Sequence, residues 1–110
     1  MTLRTKLMTF ATQLATVSNN VFHYTRPPKQ AAPFIVWAED SEEGSFNASN
    51  HKAEQIIHGV VDLYTKTEFD PLCDAVQNAM LALDGCGFAI RAVQYEDETC
   101  LIHYTWEWWW

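Results

Sequence analysis

Within the segment Cys100 to Trp108, the seven residues from Ile102 to Trp108 alternate with a period of two. Ile102, Tyr104, Trp106 and Trp108 take one side, and His103, Thr105 and Glu107 take the other. Successive side chains of a strand point to opposite faces, so this pattern predicts a strand with one face inward and one outward. It also sets the size of the core. A buried aromatic side chain removes on the order of 150–250 Å² from water, and four of the five tryptophans stand at 106, 108, 109 and 110. A chain of 110 residues supports one domain, 1–110, with one core. At least one of Trp109 and Trp110 must point away from the face that carries Trp108, so the end of this strand is expected to need cover.

The partner of this strand is Phe88 to Tyr95, joined to it across the polar turn Glu96-Asp97-Glu98-Thr99. Upstream, Leu3, Leu7, Phe10 or Ala11, Leu14 and Val17 recur at three- and four-residue spacing, which predicts a helix over about 2–17. Ser18-Asn19-Asn20 ends it. Val21 to Tyr24 is a short extended segment, Arg26-Pro27-Pro28 is a non-helical connector, and Phe34 to Ala38 reads as a strand. Glu39 to Asn50, rich in Ser, Asn and Glu, reads as a long loop. Glu54 to Lys66 has apolar residues on both faces and is placed centrally in the sheet, with Gly59 marking a bulge or a close backbone approach. Asp70-Pro71 predicts a helix start. Leu72, Cys73, Val76, Ala79, Met80 and Leu83 give that helix its apolar stripe, and Gly85 and Gly87 offer left-handed cap and turn positions. The expected fold is α+β, in the order α-β-β-β-α-β-β. An antiparallel or mixed sheet of four to five strands carries two helices on one face.

Charge is unevenly distributed. Residues 1–38 carry Arg4, Lys6, Arg26 and Lys29 and no acid, while residues 39–110 carry all fourteen acids and only Lys52, Lys66 and Arg91. Such a surface repels phosphates, which argues against nucleic-acid binding over any broad face. No apolar run approaches the roughly 20 residues of a membrane span, and none follows Arg4 and Lys6 as in a secretory signal. A soluble, intracellular protein is the expectation. Cys73, Cys86 and Cys100 form no CxxC pair and are expected to be buried free thiols.

Catalytic patterns are missing from the sequence: it holds no phosphate-binding glycine loop, no nucleophile elbow and no His-Glu-x-x-His. His23, His51, His58 and His103 are scattered singly and read as packed or surface residues. Asp62, Lys66, Glu68 and Asp70 come nearest to a carboxylate-lysine metal site, but Glu68 and Asp70 fall where a loop and a helix cap call for carboxylates anyway. The run Glu39, Asp40, Glu42 and Glu43 lacks calcium-loop spacing. No catalytic residue, cofactor or metal is expected.

The segments Pro33-Phe-Ile-Val-Trp-Ala-Glu-Asp40, His58-Gly-Val-Val-Asp-Leu-Tyr-Thr-Lys66 and Ile102-His-Tyr-Thr-Trp-Glu-Trp108, with Phe69-Asp70-Pro71 before the second helix, resemble a family of small phage proteins. These are the tail-terminator or tail-completion proteins of long-tailed bacteriophages, and the resemblance spans nearly the whole chain. It implies an α/β fold akin to the lambda tail terminator and a hexameric ring that stops tail-tube growth and joins tube to head connector. The implied partners are further copies of the chain, the major tail tube protein and the connector or neck proteins. DNA would pass through an acidic lumen without specific binding. The implied location is the virion tail or neck, reached from the host cytoplasm during assembly, with no membrane involved. The family brings no active site or cofactor. On this reading Glu39, Asp40, Glu42, Glu43 and Phe46 of the acidic segment, with Trp109 and Trp110, are the expected interface; the terminal tryptophan pair departs from the family pattern. Two other classes stand beside it: an intracellular adaptor binding a protein through its aromatic C-terminal strand, and a divalent-metal hydrolase using Asp62, Glu68 and Asp70.

Overall fold

The computed structural model describes the backbone of residues 1–48 and 51–110 and the side chains of residues 1–42 and 55–110. Helix α1 (Leu3–Ala15) starts at Thr2, whose Oγ1 accepts the Thr5 amide at 3.1 Å. Strands β1 (Val21–His23), β2 (Phe34–Ala48) and β3 (His51–Thr65) follow, then helix α2 (Leu72–Leu81) and strands β4 (Gly87–Glu96) and β5 (Leu101–Trp109). The sheet order is β1-β2-β3-β5-β4. Strand β1 runs parallel to β2 and every other pairing is antiparallel. The fold is therefore α+β with a mixed five-stranded sheet, in the expected element order.

Both helices cover one face. Phe10 and Leu14 from α1 and Val76, Ala79 and Met80 from α2 are buried with Ile35, Trp37, Val61, Leu63, Trp106 and Trp108 from the sheet. Strand register accounts for the list: Ile35 faces Leu63, Trp37 faces Val61, and Val61 faces Trp106. One side of three neighbouring strands thus supplies the core, as period-two geometry requires. Phe10 stacks on Trp108 with centroids 4.1 Å apart, and Trp106 Nε1 donates to Gln77 Oε1 at 2.9 Å. Trp108 Nε1 is buried without a hydrogen-bond partner. Lys6 ties α1 to the sheet, donating from Nζ to the carbonyls of Gln55 and Trp110 at 2.8 Å each.

Helix α2 begins as Asp70-Pro71 predicted. Asp70 Oδ1 accepts the Leu72 amide at 2.9 Å while Oδ2 accepts the hydroxyl of the fully buried Thr65 at 2.5 Å. Gly85 takes a left-handed turn conformation (φ 83°), whereas Gly87 opens β4 instead.

Two expectations are corrected. Residues 39–48 are not a loop. Strand β2 continues through them to Ala48, and β3 begins at His51 rather than Glu54, pairing Phe46 with Glu54 and Ala48 with His51. Polar residues hid the strand, because Glu39 to Ala48 carries no apolar alternation by which a strand is recognised. Since β5 pairs β3 only from His58 to Thr65, the far ends of β2 and β3 form a two-stranded arm beyond the sheet. The second correction concerns the thiols: all three are free, but Cys73 and Cys86 are half-buried and Cys100 is exposed.

Candidate functional site

The arm leaves the sheet at Glu39 and Asp40, and the two carboxylates are held on opposite faces. Glu39 lies across from Gly59 on the helix side. Its Oε1 is 2.6 Å from His23 Nε2, and its Oε2 accepts the Tyr24 hydroxyl at 2.5 Å. His23 is sandwiched between Tyr24 and Trp37, at centroid distances of 3.7 and 3.9 Å. Partial burial pushes the Glu39 carboxyl up, but the Tyr24 hydroxyl, a backbone amide and His23 together hold it below its usual value.

Asp40 sits where the β2–β3 register shifts, between Glu39 and Ser41. It turns to the helix-free face, where its Oδ1 lies 3.0 Å from His58 Nδ1 and accepts the Ser41 hydroxyl at 2.7 Å. The other ring nitrogen, His58 Nε2, is 2.7 Å from Glu107 Oε1, and Glu107 Oε2 accepts from Arg91 Nε. Asp40 and Glu107 raise the His58 pKa against a smaller opposing effect of burial. Partial burial pushes the Asp40 carboxyl up, yet His58 and Ser41 bring it below its ordinary value. Arg91, with a smaller share from His58, does the same for Glu107 against the opposing effect of desolvation. His58, Arg91, Glu107 and Trp109 line a pocket of about 250 Å³.

Of the expected interface residues, then, Glu39 and Asp40 are engaged within the chain. Glu42 accepts the Gln55 side-chain amide at 2.9 Å. Glu43 and Phe46 belong to β2 by backbone, and their side chains lie outside the described residues. Trp109 and Trp110 also find partners in the chain and are half-buried. Trp109 lies over Gly87, where an added Cβ would come within 2.1 Å of Trp109 Nε1. Trp110 exchanges backbone hydrogen bonds with Ile57 at 2.8 and 2.9 Å. Its indole donates to the Asp84 carbonyl at 2.8 Å and lies under Lys6 Nζ, 5.3 Å from the ring centroid.

The carboxylates considered as a metal site are not brought together. Asp62 faces the helix-free side, where Oδ1 meets His103 Nε2 at 2.7 Å and accepts the Thr105 hydroxyl at 2.8 Å. Asp70 is occupied on the helix side by Thr65 and the α2 cap, and Glu68 is exposed in the preceding turn. Nor does His58 suit a cation, because its two carboxylates flank opposite ring nitrogens. Among the described residues no group of three or more His, Cys, Asp or Glu is disposed to hold a metal ion, and no helix is long and apolar enough to cross a membrane.

The histidine-carboxylate pairs were missed by sequence reasoning. They join residues 16 to 49 positions apart, and only the strand register places them together. The one available signal was the polar alternation His103, Thr105, Glu107, which fixes a face but not its partners. No protein-family model matches the chain, and neither does any curated protein.

Proposed function

We propose that this chain is a structural assembly protein of a long-tailed phage: a tail terminator that caps the tail tube and joins it to the head connector, as a hexameric ring of identical copies. The family likeness of the three sequence segments suggests this role. The observation that carries it is that the sheet ends in two unlike edges. On one side β4 is the outermost strand, and Ile90, Val93 and Tyr95 project from it exposed. On the other, β1 covers β2 only from Ile35 to Trp37, and β2 continues into the arm. An open strand edge with exposed apolar residues invites pairing with another chain. Two different edges on one protomer favour head-to-tail association, which closes into a ring when the rotation permits. The excess of acids in residues 39–110 suits a passage for DNA that must not stick.

A complementation experiment tests the head-to-tail arrangement. Val93→Lys places a charge on the β4 edge, and a second variant replaces residues 43–54 by an Asn-Gly turn, removing most of the arm. Each variant alone should sediment as a monomer. Mixed together they should form a two-chain species and nothing larger, because one intact edge of each kind remains. Full-size assemblies from either variant alone would contradict the arrangement.

A further inference from the structure

We propose that His58 is a proton-operated clasp at the root of the β2–β3 arm, holding the arm to the sheet as an imidazolium and loosening it when the ring loses a proton. The inference goes beyond the assembly role and concerns the isolated chain, so it stands or falls separately from the ring.

The geometry favours the charged ring. Both nitrogens face carboxylate oxygens, Asp40 Oδ1 at 3.0 Å and Glu107 Oε1 at 2.7 Å. A neutral imidazole has a single N–H, so one carboxylate would then confront a lone pair. Only the imidazolium donates to both. The charged groups that face this ring are Asp40 from β2 and Glu107 from β5, with Arg91 from β4 reaching the far oxygen of Glu107. The helices lie on the other side of the sheet and add none. Loss of the proton leaves two carboxylates beside a single guanidinium.

Position turns this local chemistry into a device. His58 pairs with Ser41 on one side and Trp109 on the other, at the last rung β3 shares with β5. Beyond the Ile57–Trp110 backbone pair that follows, β3 pairs with β2 alone. Two-stranded ribbons are marginal in water without further support, so the side-chain bonds at the root, those of His58 on one face and Lys6 on the Gln55 carbonyl from α1, govern how firmly this one is held. The raised His58 pKa gives the sign. The stabilisation is complete below the unfolded histidine value of about 6.5 and is lost as pH rises through the folded value.

Amide hydrogen exchange measured by NMR between about pH 5.5 and 9, with the His58 ring nitrogens titrated in the same samples, tests the clasp. After correction for intrinsic base catalysis, amides of residues 41–45 and 55–57 should exchange on the order of tenfold faster once His58 is neutral, the scale of one lost charge-assisted hydrogen bond. Amides of Val61 and Leu63 should not change. His58→Asn should abolish the pH dependence, and Asp40→Asn should reduce it. Should either variant fail to fold, the wild-type titration decides. Arm protection that ignores the His58 titration, that follows His23 or His103 instead, or a His58 pKa at or below 6.5 would overturn the proposal.

Discussion

The indole of Trp108 lies flat against Gly59, its direct partner across β3 and β5. A Cβ at position 59 would come within 2.4 Å of Trp108 Cζ2 and 2.3 Å of the Ala38 carbonyl oxygen. Gly59 therefore marks a close approach of the backbone, and it makes room for one of the three tryptophans of the core. A tryptophan over a cross-strand glycine recurs on the opposite face, where Trp109 covers Gly87.

Gly59→Ala should accordingly destabilise the protein by about 1–3 kcal/mol or more, since neither Trp108, stacked on Phe10, nor a strand backbone can yield cheaply. Gly87→Ala should cost less, because the half-buried Trp109 can swing outward. Urea denaturation of the two variants checks the order, and equal effects would contradict it.

Asp70 serves two partners at once. Asp70→Ala removes the α2 cap, typically about 1 kcal/mol, and leaves the buried Thr65 O–H without its acceptor, at roughly 1 kcal/mol more, while the Thr65 oxygen still accepts the Thr67 amide at 3.1 Å. Thr65→Val in the same chain removes the unmatched O–H, at the cost of the acceptor of the Thr67 amide in the single and double variants alike, so the double variant should lose less than the sum of the singles. Strict additivity in a double-mutant cycle would show that the 2.5 Å bond does not couple them.

Acid should loosen the arm root as well. Glu39, Asp40 and Glu107 all have folded pKa values below their ordinary ones. Their stabilisation is present above the unfolded values of about 4 and is lost as pH falls through the lowered folded values. Stability measured by denaturation should decline below about pH 4, with a shallower decline in Glu39→Gln. An unchanged slope in that variant would contradict the His23–Glu39–Tyr24 arrangement.

The thiols should differ in reactivity. Burial pushes the Cys86 thiol up to about 11, and Cys73 is also raised, chiefly by burial. Cys100 is exposed. Iodoacetamide at pH 8 should label Cys100 first and leave Cys86 largely unmodified, as peptide mapping will show. Early labelling of Cys86 would mean that β4 opens readily at its start.

Much of this architecture was legible in the sequence, for identifiable reasons. The stripes Leu7–Phe10–Leu14 and Val76–Ala79–Met80 bury against the sheet, and the spacing that marks a helix is the spacing that buries one face. The alternation ending at Trp106 and Trp108 worked because both residues face the core. The strand character of the arm was hidden because Glu39 to Ala48 carries no apolar period. The site at its root was less legible still. Asp40, His58 and Glu107 come from three strands, and only the shared register brings them together. The terminal indoles are partly covered within the chain: Trp109 lies over Gly87, Trp110 meets Asp84, Lys6 and Ile57, and both stay half-buried.

Electron microscopy can show whether the proposed tail terminator forms a ring. The purified protein is imaged alone and after mixing with tubes assembled from the tail-tube protein of the same genome. Six-membered rings are expected, free or seated at one tube end, with tubes that stop growing once capped. Monomers in both samples, with tubes that elongate undisturbed, would contradict it.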